Sequence, residues 1–143
     1  MALWDPALAV GIPAVDESHA SALLRMEEVL KAIAEEDVGK TDLLLRDLAG
    51  EVSRHFEVEE ALAPADSLTR EHVESHRLFV AELERLRDAF RRRGLGPALP
   101  LWIRSRIVNW FQFHVRTYDA LLASAIARVA AARSDDASPP LPG

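Results

Sequence analysis

Cysteine is absent from the chain. That excludes disulfides, thiolate clusters, zinc fingers and cysteine nucleophiles. No apolar run approaches the ~20 residues that a transmembrane helix needs. The N-terminus, MALWDPALAVGIPAVDE, has no basic n-region and carries an acid at Asp5. It reads poorly as a signal peptide, so a cytoplasmic protein without a membrane partner is expected. The period-two alternation of strands is missing as well. Positive charge is in deficit, with 17 Lys and Arg against 23 Asp and Glu and a net charge of −6. That balance argues against nucleic acid as a main partner. The cationic run Arg91-Arg92-Arg93 reads as a helix C-terminus, where cations suit the macrodipole.

What is present is globular: 49% hydrophobic and 28% charged residues in 143 positions, the size of one domain. Four helical segments emerge. The first runs from about Asp16, a plausible N-cap, to about Glu36, with a seam of His19, Leu23, Met26, Leu30 and Ile33, and Gly39 ends it. The second starts near Thr41 and carries Leu44 (or Leu45), Leu48, Val52, His55, Glu59 and Leu62 before Pro64 stops it. The third starts near Ser67 or Thr69, follows His72, His76, Phe79, Leu83, Leu86 and Phe90, and closes at Gly94. The fourth opens at Pro100, shows Ile103, Ile107, Trp110 and His114, and continues to about Arg133. Each helix has one apolar stripe to bury. The expected fold is all-α, an antiparallel up-down-up-down four-helix bundle over 16–133. An extended arm, 1–15, would precede it, with Trp4 and Ile12 as anchors, and a disordered tail, 134–143, would follow. No convincing internal repeat is visible.

All five histidines (His19, His55, His72, His76 and His114) fall on helix seams. One such residue is usually a satisfied core histidine. Five of five, spread over four helices, is harder to explain that way. Buried imidazoles need partners for both ring nitrogens, at about 1–3 kcal/mol per unpaired group. A shared metal satisfies one nitrogen of each. His55–Glu59 and His72–His76 are i,i+4 pairs, each on one helical face. Glu59 lies on its helix's seam, where a buried carboxylate needs a partner. Glu57 and Glu60 fall off that seam and are expected in solvent. With Asp119, the set exceeds one metal's shell and suits two metals bridged by carboxylates. Imidazole fits Fe, Cu, Ni or Zn, while carboxylate favours harder ions.

The stretches VGIPAVDESH (10–19), HFEVEE (55–60), HVESH (72–76) and WFQFHVRTYD (110–119) resemble the hemerythrin family, of the bacterial single-domain kind. The likeness covers about residues 4 to 130. It implies one iron held by His72, His76 and His114, and a second held by His19 and His55. Glu59 and Asp119 would bridge them, with an oxo or hydroxo group as third bridge. In the family, O2 binds end-on at the two-histidine iron, takes two electrons and becomes a hydroperoxide, reversibly. By position, Phe56, Trp110, Phe111, Val115 and Tyr118 would line the ligand pocket or simply pack the core. Tyr118 stands where the family usually has an aliphatic residue, and its phenol could point at the open coordination site.

His114 and Asp119 are five residues apart. On an α-helix of about 100° per residue they would point about 140° apart. The seam 103, 107, 110, 114, continued in register, would bury Ser124 and Arg128. Starting from Asp119 instead gives Asp119, Leu122, Ile126 and Val129, as though one residue were inserted. A poorer stripe through Tyr118, Leu122, Ala125 and Val129 is also open. A π-bulge between His114 and Asp119 is therefore expected. It would bring the two side chains to ~50° apart at about 4.4 residues per turn.

Three functions compete. The first is reversible O2 binding for storage, delivery or sensing, with NO or other small ligands also conceivable. The second is a diiron oxidase, peroxidase or NO-handling protein. The third is an interaction module holding zinc. Ferritin-like diiron enzymes use four carboxylates and two Glu-x-x-His pairs, and no Glu-x-x-His lies on the seams here. Neutral imidazoles stabilise high-valent iron less than carboxylates do, which favours binding over O–O cleavage and a protein that is not an enzyme. A closed zinc site would be four-coordinate, which fits a three-plus-two histidine set less well. A signalling role would need a separate protein partner.

Overall fold

The computed structural model describes residues 3–136. The described residues form four main helices and no strand. The first, α1, is Pro13–Ala34; α2 is Val38–Leu62; α3 is Arg70–Arg93. The fourth, α4, is one continuous run over 98–136. It comprises Ala98–Trp102, a π-helical stretch Ile103–Val108, Asn109–His114, a second π stretch Val115–Asp119, and Ala120–Asp136. Residues 137–143 of the expected tail lie outside the described residues.

Several boundaries differ from the sequence reading, each for a local reason. α1 begins at Pro13, whose fixed φ suits a first turn, and Ile12 is its N-cap. Asp16 does not cap; its carboxylate accepts from the N–H of Val10 at 2.7 Å and of Gly11 at 3.2 Å, tying the arm to the helix. Gly39 does not end α1. The turn is made by Glu36 at φ 57. Asp37 then caps α2 by accepting from Lys40 N at 3.0 Å, so Gly39 sits in the first turn of α2. α3 uses Thr69, whose Oγ1 accepts from His72 N at 3.0 Å. It ends at Gly94, where φ 71 favours a residue without Cβ.

The four helices share one core. Its largest fully buried members include Phe79, Phe111, Leu23, Met26, Leu48, Leu83, Ile103 and Ile107. α1 packs on α2 and α2 on α3, and Ile103–Val108 of α4 touches both α1 and α3. Leu62 is exposed rather than on the core seam, and Leu30 is only partly buried, with Val29 inside in its place. In the arm, Trp4 packs against the core. The deepest anchor, however, is Leu8, which a short turn over Pro6–Leu8 directs inward. Asp5 caps that turn by accepting from Ala7 N at 2.8 Å. No helix among the described residues is long and apolar enough to cross a membrane.

Candidate metal centre

Seven polar side chains meet at one level of the core. α1 supplies His19, α2 supplies His55 and Glu59, α3 supplies His72 and His76, and α4 supplies His114 and Asp119. All are between 0 and 6% exposed. The Thr69 cap starts α3 so that His72 falls in its first turn and His76 one turn on, both facing inward.

The donor pair on α4 depends on the second π stretch. Ala120 N donates to Val115 O, five residues back. The wider turn puts His114 Nε2 3.1 Å from Asp119 Oδ1. The first π stretch, closed by Asn109 N to Arg104 O, was not expected. Each stretch carries a hydroxyl that bonds the carbonyl four residues earlier: Ser105 to Leu101 O and Thr117 to Phe113 O, both at 2.8 Å. Such back-bonding occupies a carbonyl that the wider turn releases.

The donors divide into two groups sharing both carboxylates. One contains His72, His76 and His114. His72 Nε2 is 2.9 Å from Glu59 Oε1 and 3.2 Å from Asp119 Oδ1, and His76 Nε2 is 3.3 Å from Glu59 Oε1. The other contains His19 and His55. His19 Nε2 is 3.0 Å from Asp119 Oδ2, and His55 Nε2 is 3.1 Å from Glu59 Oε2. Each carboxylate thus turns one oxygen to the three-histidine group and the other to the two-histidine group.

Polar atoms remain without hydrogen-bond partners at this centre: both nitrogens of His19, Nε2 of His55, both oxygens of Glu59 and Oδ2 of Asp119. The short His55–Glu59 separation lacks hydrogen-bond angles. Orphaned buried groups of this kind cost about 1–3 kcal/mol each, more when charged. His76 Nε2 and His114 Nε2 face each other at 3.1 Å. The Nδ1–H of His76 is held by the Glu60 carboxylate at 3.0 Å, which leaves the Nε2 of His76 a bare acceptor. His114 Nε2–H can donate to it, and a cation between the two nitrogens would take the place of that proton. Two donors held cis about 2.1 Å from an octahedral metal lie about 3.0 Å apart, and tetrahedral donors about 3.4 Å. The spacings of 2.9–3.3 Å in the three-histidine group lie at and between these two edges. The buried donor set fits a metal ion.

The electrostatics agree. Burial would raise the Glu59 carboxyl, but the close imidazoles of His55, His72 and His76 outweigh it and hold the group at about 2. Asp119 is likewise lowered: burial opposes, and His114, His19 and His72 prevail. Burial disfavours charged His72, yet Asp119 and Glu59 raise it to about 9. Burial dominates at His114 and lowers it. The contacts that lower Glu59 and Asp119 are the ones that raise His72.

The five aromatic and aliphatic candidates do not surround one pocket. Phe111 meets the rings of His19 at 5.6 Å and His55 at 6.4 Å, so it borders the two-histidine group. Val115 is buried at 1%. Phe56 lies between the groups, stacked on His76 at 3.9 Å and 5.7 Å from His55. Trp110 stacks on His114 at 4.8 Å. Tyr118 lies 5.1 Å from His72 and 5.4 Å from His114. Trp110 and Tyr118 therefore belong to the three-histidine side, and Tyr118 does not flank the two-histidine group.

Glu60, read from the sequence as solvated, is half-buried and bonded to His76. Ser18 Oγ is 2.7 Å from His55 Nδ1, and Ser75 Oγ is 3.3 Å from His114 Nδ1. The sequence did hold a signal for the serines: the tripeptide Glu-Ser-His occurs twice, at 17–19 and 74–76.

No family model, curated protein or solved structure matches the chain.

Proposed function

We propose that the chain is an antiparallel up-down-up-down bundle of the hemerythrin kind, which holds two iron ions and binds O2 reversibly at the two-histidine half. One observation carries this reading: two carboxylates are shared, one oxygen each, between a set of three histidines and a set of two. The poorer set leaves room for an exogenous ligand. Bound there, a pair of ferrous ions would supply two electrons and an open position for a diatomic ligand. Two carboxylates and a bridging hydroxide would offset three of the four positive charges, so little net charge stays in the core.

The protein's own residues do the rest. Glu59 and Asp119 hold the two halves at a set separation. Glu60 orients His76 by accepting its Nδ1–H. Phe111, buried against the rings of His19 and His55, keeps water from the two-histidine half. Among the described residues the buried acids are Glu59 and Asp119 alone. With both engaged as bridges, no buried carboxyl remains to deliver protons, which favours binding over turnover.

The test is optical. The iron-loaded, deoxygenated protein is recorded, exposed to O2, then purged. A visible charge-transfer band that appears and disappears is the expected result. Continuous consumption of O2 would instead indicate a diiron oxidase or peroxidase. A chain that takes up two zinc ions but no iron would indicate a structural module.

A further inference from the structure

We infer that Ser18 and Ser75 are paired positioning residues, each setting the ring of a metal-ligating histidine on the neighbouring helix. The inference rests on reading the seven buried side chains as a metal centre. Each serine directly precedes a candidate ligand, His19 or His76. Each reaches across to Nδ1 of another, His55 on α2 or His114 on α4. The carboxylate then follows on the same helix, Glu59 four residues after His55 and Asp119 five after His114. Each helix pair thus repeats one device: a serine-histidine step on the first helix, and a histidine with its carboxylate on the second. The π turn hides the repeat by lengthening one spacing.

The two serines are not equivalent. Ser75 donates its single proton to His72 O at 2.6 Å. With that proton engaged, its oxygen is left to accept from His114 Nδ1–H, the tautomer His114 takes when its Nε2 binds a metal. Ser18 has His55 as its partner at 2.7 Å. It can donate to Nδ1 or accept from it, and it must accept once His55 Nε2 takes a metal. On the three-histidine half the serine is thus fixed as an acceptor before any ion binds, whereas on the two-histidine half it takes that role as the half fills. The first ion should enter the former.

Cobalt(II) titration of the metal-free protein against a competing chelator, followed by the visible ligand-field bands, tests this. The wild type should show two steps. Ser75→Ala should weaken the first step about 10- to 100-fold, and Ser18→Ala the second by a similar factor. Both serines are half-buried and alanine suits helices, so folding should survive. The isosteric Thr and Val variants provide a second comparison, in which threonine restores the step and valine does not. Alanine variants that titrate like the wild type would overturn the inference, as would variants that weaken both steps equally. A wild type that takes up no cobalt would overturn the metal centre itself.

Discussion

At the residue scale the deciding property is which oxygen faces which histidine. Glu59 and Asp119 each span both groups, whereas each histidine serves one. Removing a histidine should therefore empty one half and spare the other. His55→Ala leaves the three-histidine half with all its donors, so metal content measured by elemental analysis should fall by about half. Retention of the full amount would contradict the division. Tyr118 illustrates the limits of position alone. Its ring lies against His72 and His114, so under the proposed O2-binding function Tyr118→Phe should leave the rates of O2 release and autoxidation unchanged in stopped-flow traces. A change in either rate would place the phenol near the open position after all.

At the element scale the π turn at 115–119 matters most. It lets a five-residue spacing do what the four-residue spacing of His55 and Glu59 does on α2. Deleting Arg116, which is exposed, should restore a plain α-helix with the same donor pair at i,i+4. Uptake of two ions should persist, with unchanged or greater helical circular dichroism. Inserting one alanine after Arg116 should swing the carboxylate by roughly 100° and abolish binding at both halves. Loss of binding in the deletion variant would show that the π geometry is needed for more than register.

At the scale of the whole molecule, the centre couples stability to pH. His72 is raised from 6.5 to about 9. Its contribution is complete below 6.5 and is lost as pH climbs through about 9. Glu59 is lowered from 4.5 to about 2, and Asp119 is lowered from 3.8. Their contribution is complete above 4.5 and is lost as pH falls toward about 2. These are two sides of the same pairs. His114 is lowered from 6.5 by burial, so its contribution is complete above 6.5 and is lost as pH falls below it; melts of the metal-free protein should therefore show the highest Tm near pH 6.5, falling on both sides. Two equivalents of metal should remove the alkaline fall, because the ion replaces the His72 proton. A metal-free Tm that rises from pH 6.5 to 9 would contradict the pairing.

The amino-acid sequence by itself determined the helical content, the stripes that face inward, the seven polar residues on those stripes and the π turn between His114 and Asp119. Each of these is a periodicity, and periodicity is a property of one helix at a time. The Gly39, Asp16 and Leu62 readings went astray at helix ends, where a cap or a single turn overrides the stripe. The resemblance already implied the split of five histidines into three and two with Glu59 and Asp119 between them; the tertiary structure alone decided the rest of what lies across from what: Tyr118 on the richer side, and Glu60, Ser18 and Ser75 behind the rings. Those are distances between helices. They follow from how the apolar stripes pack against one another, which no single stripe encodes.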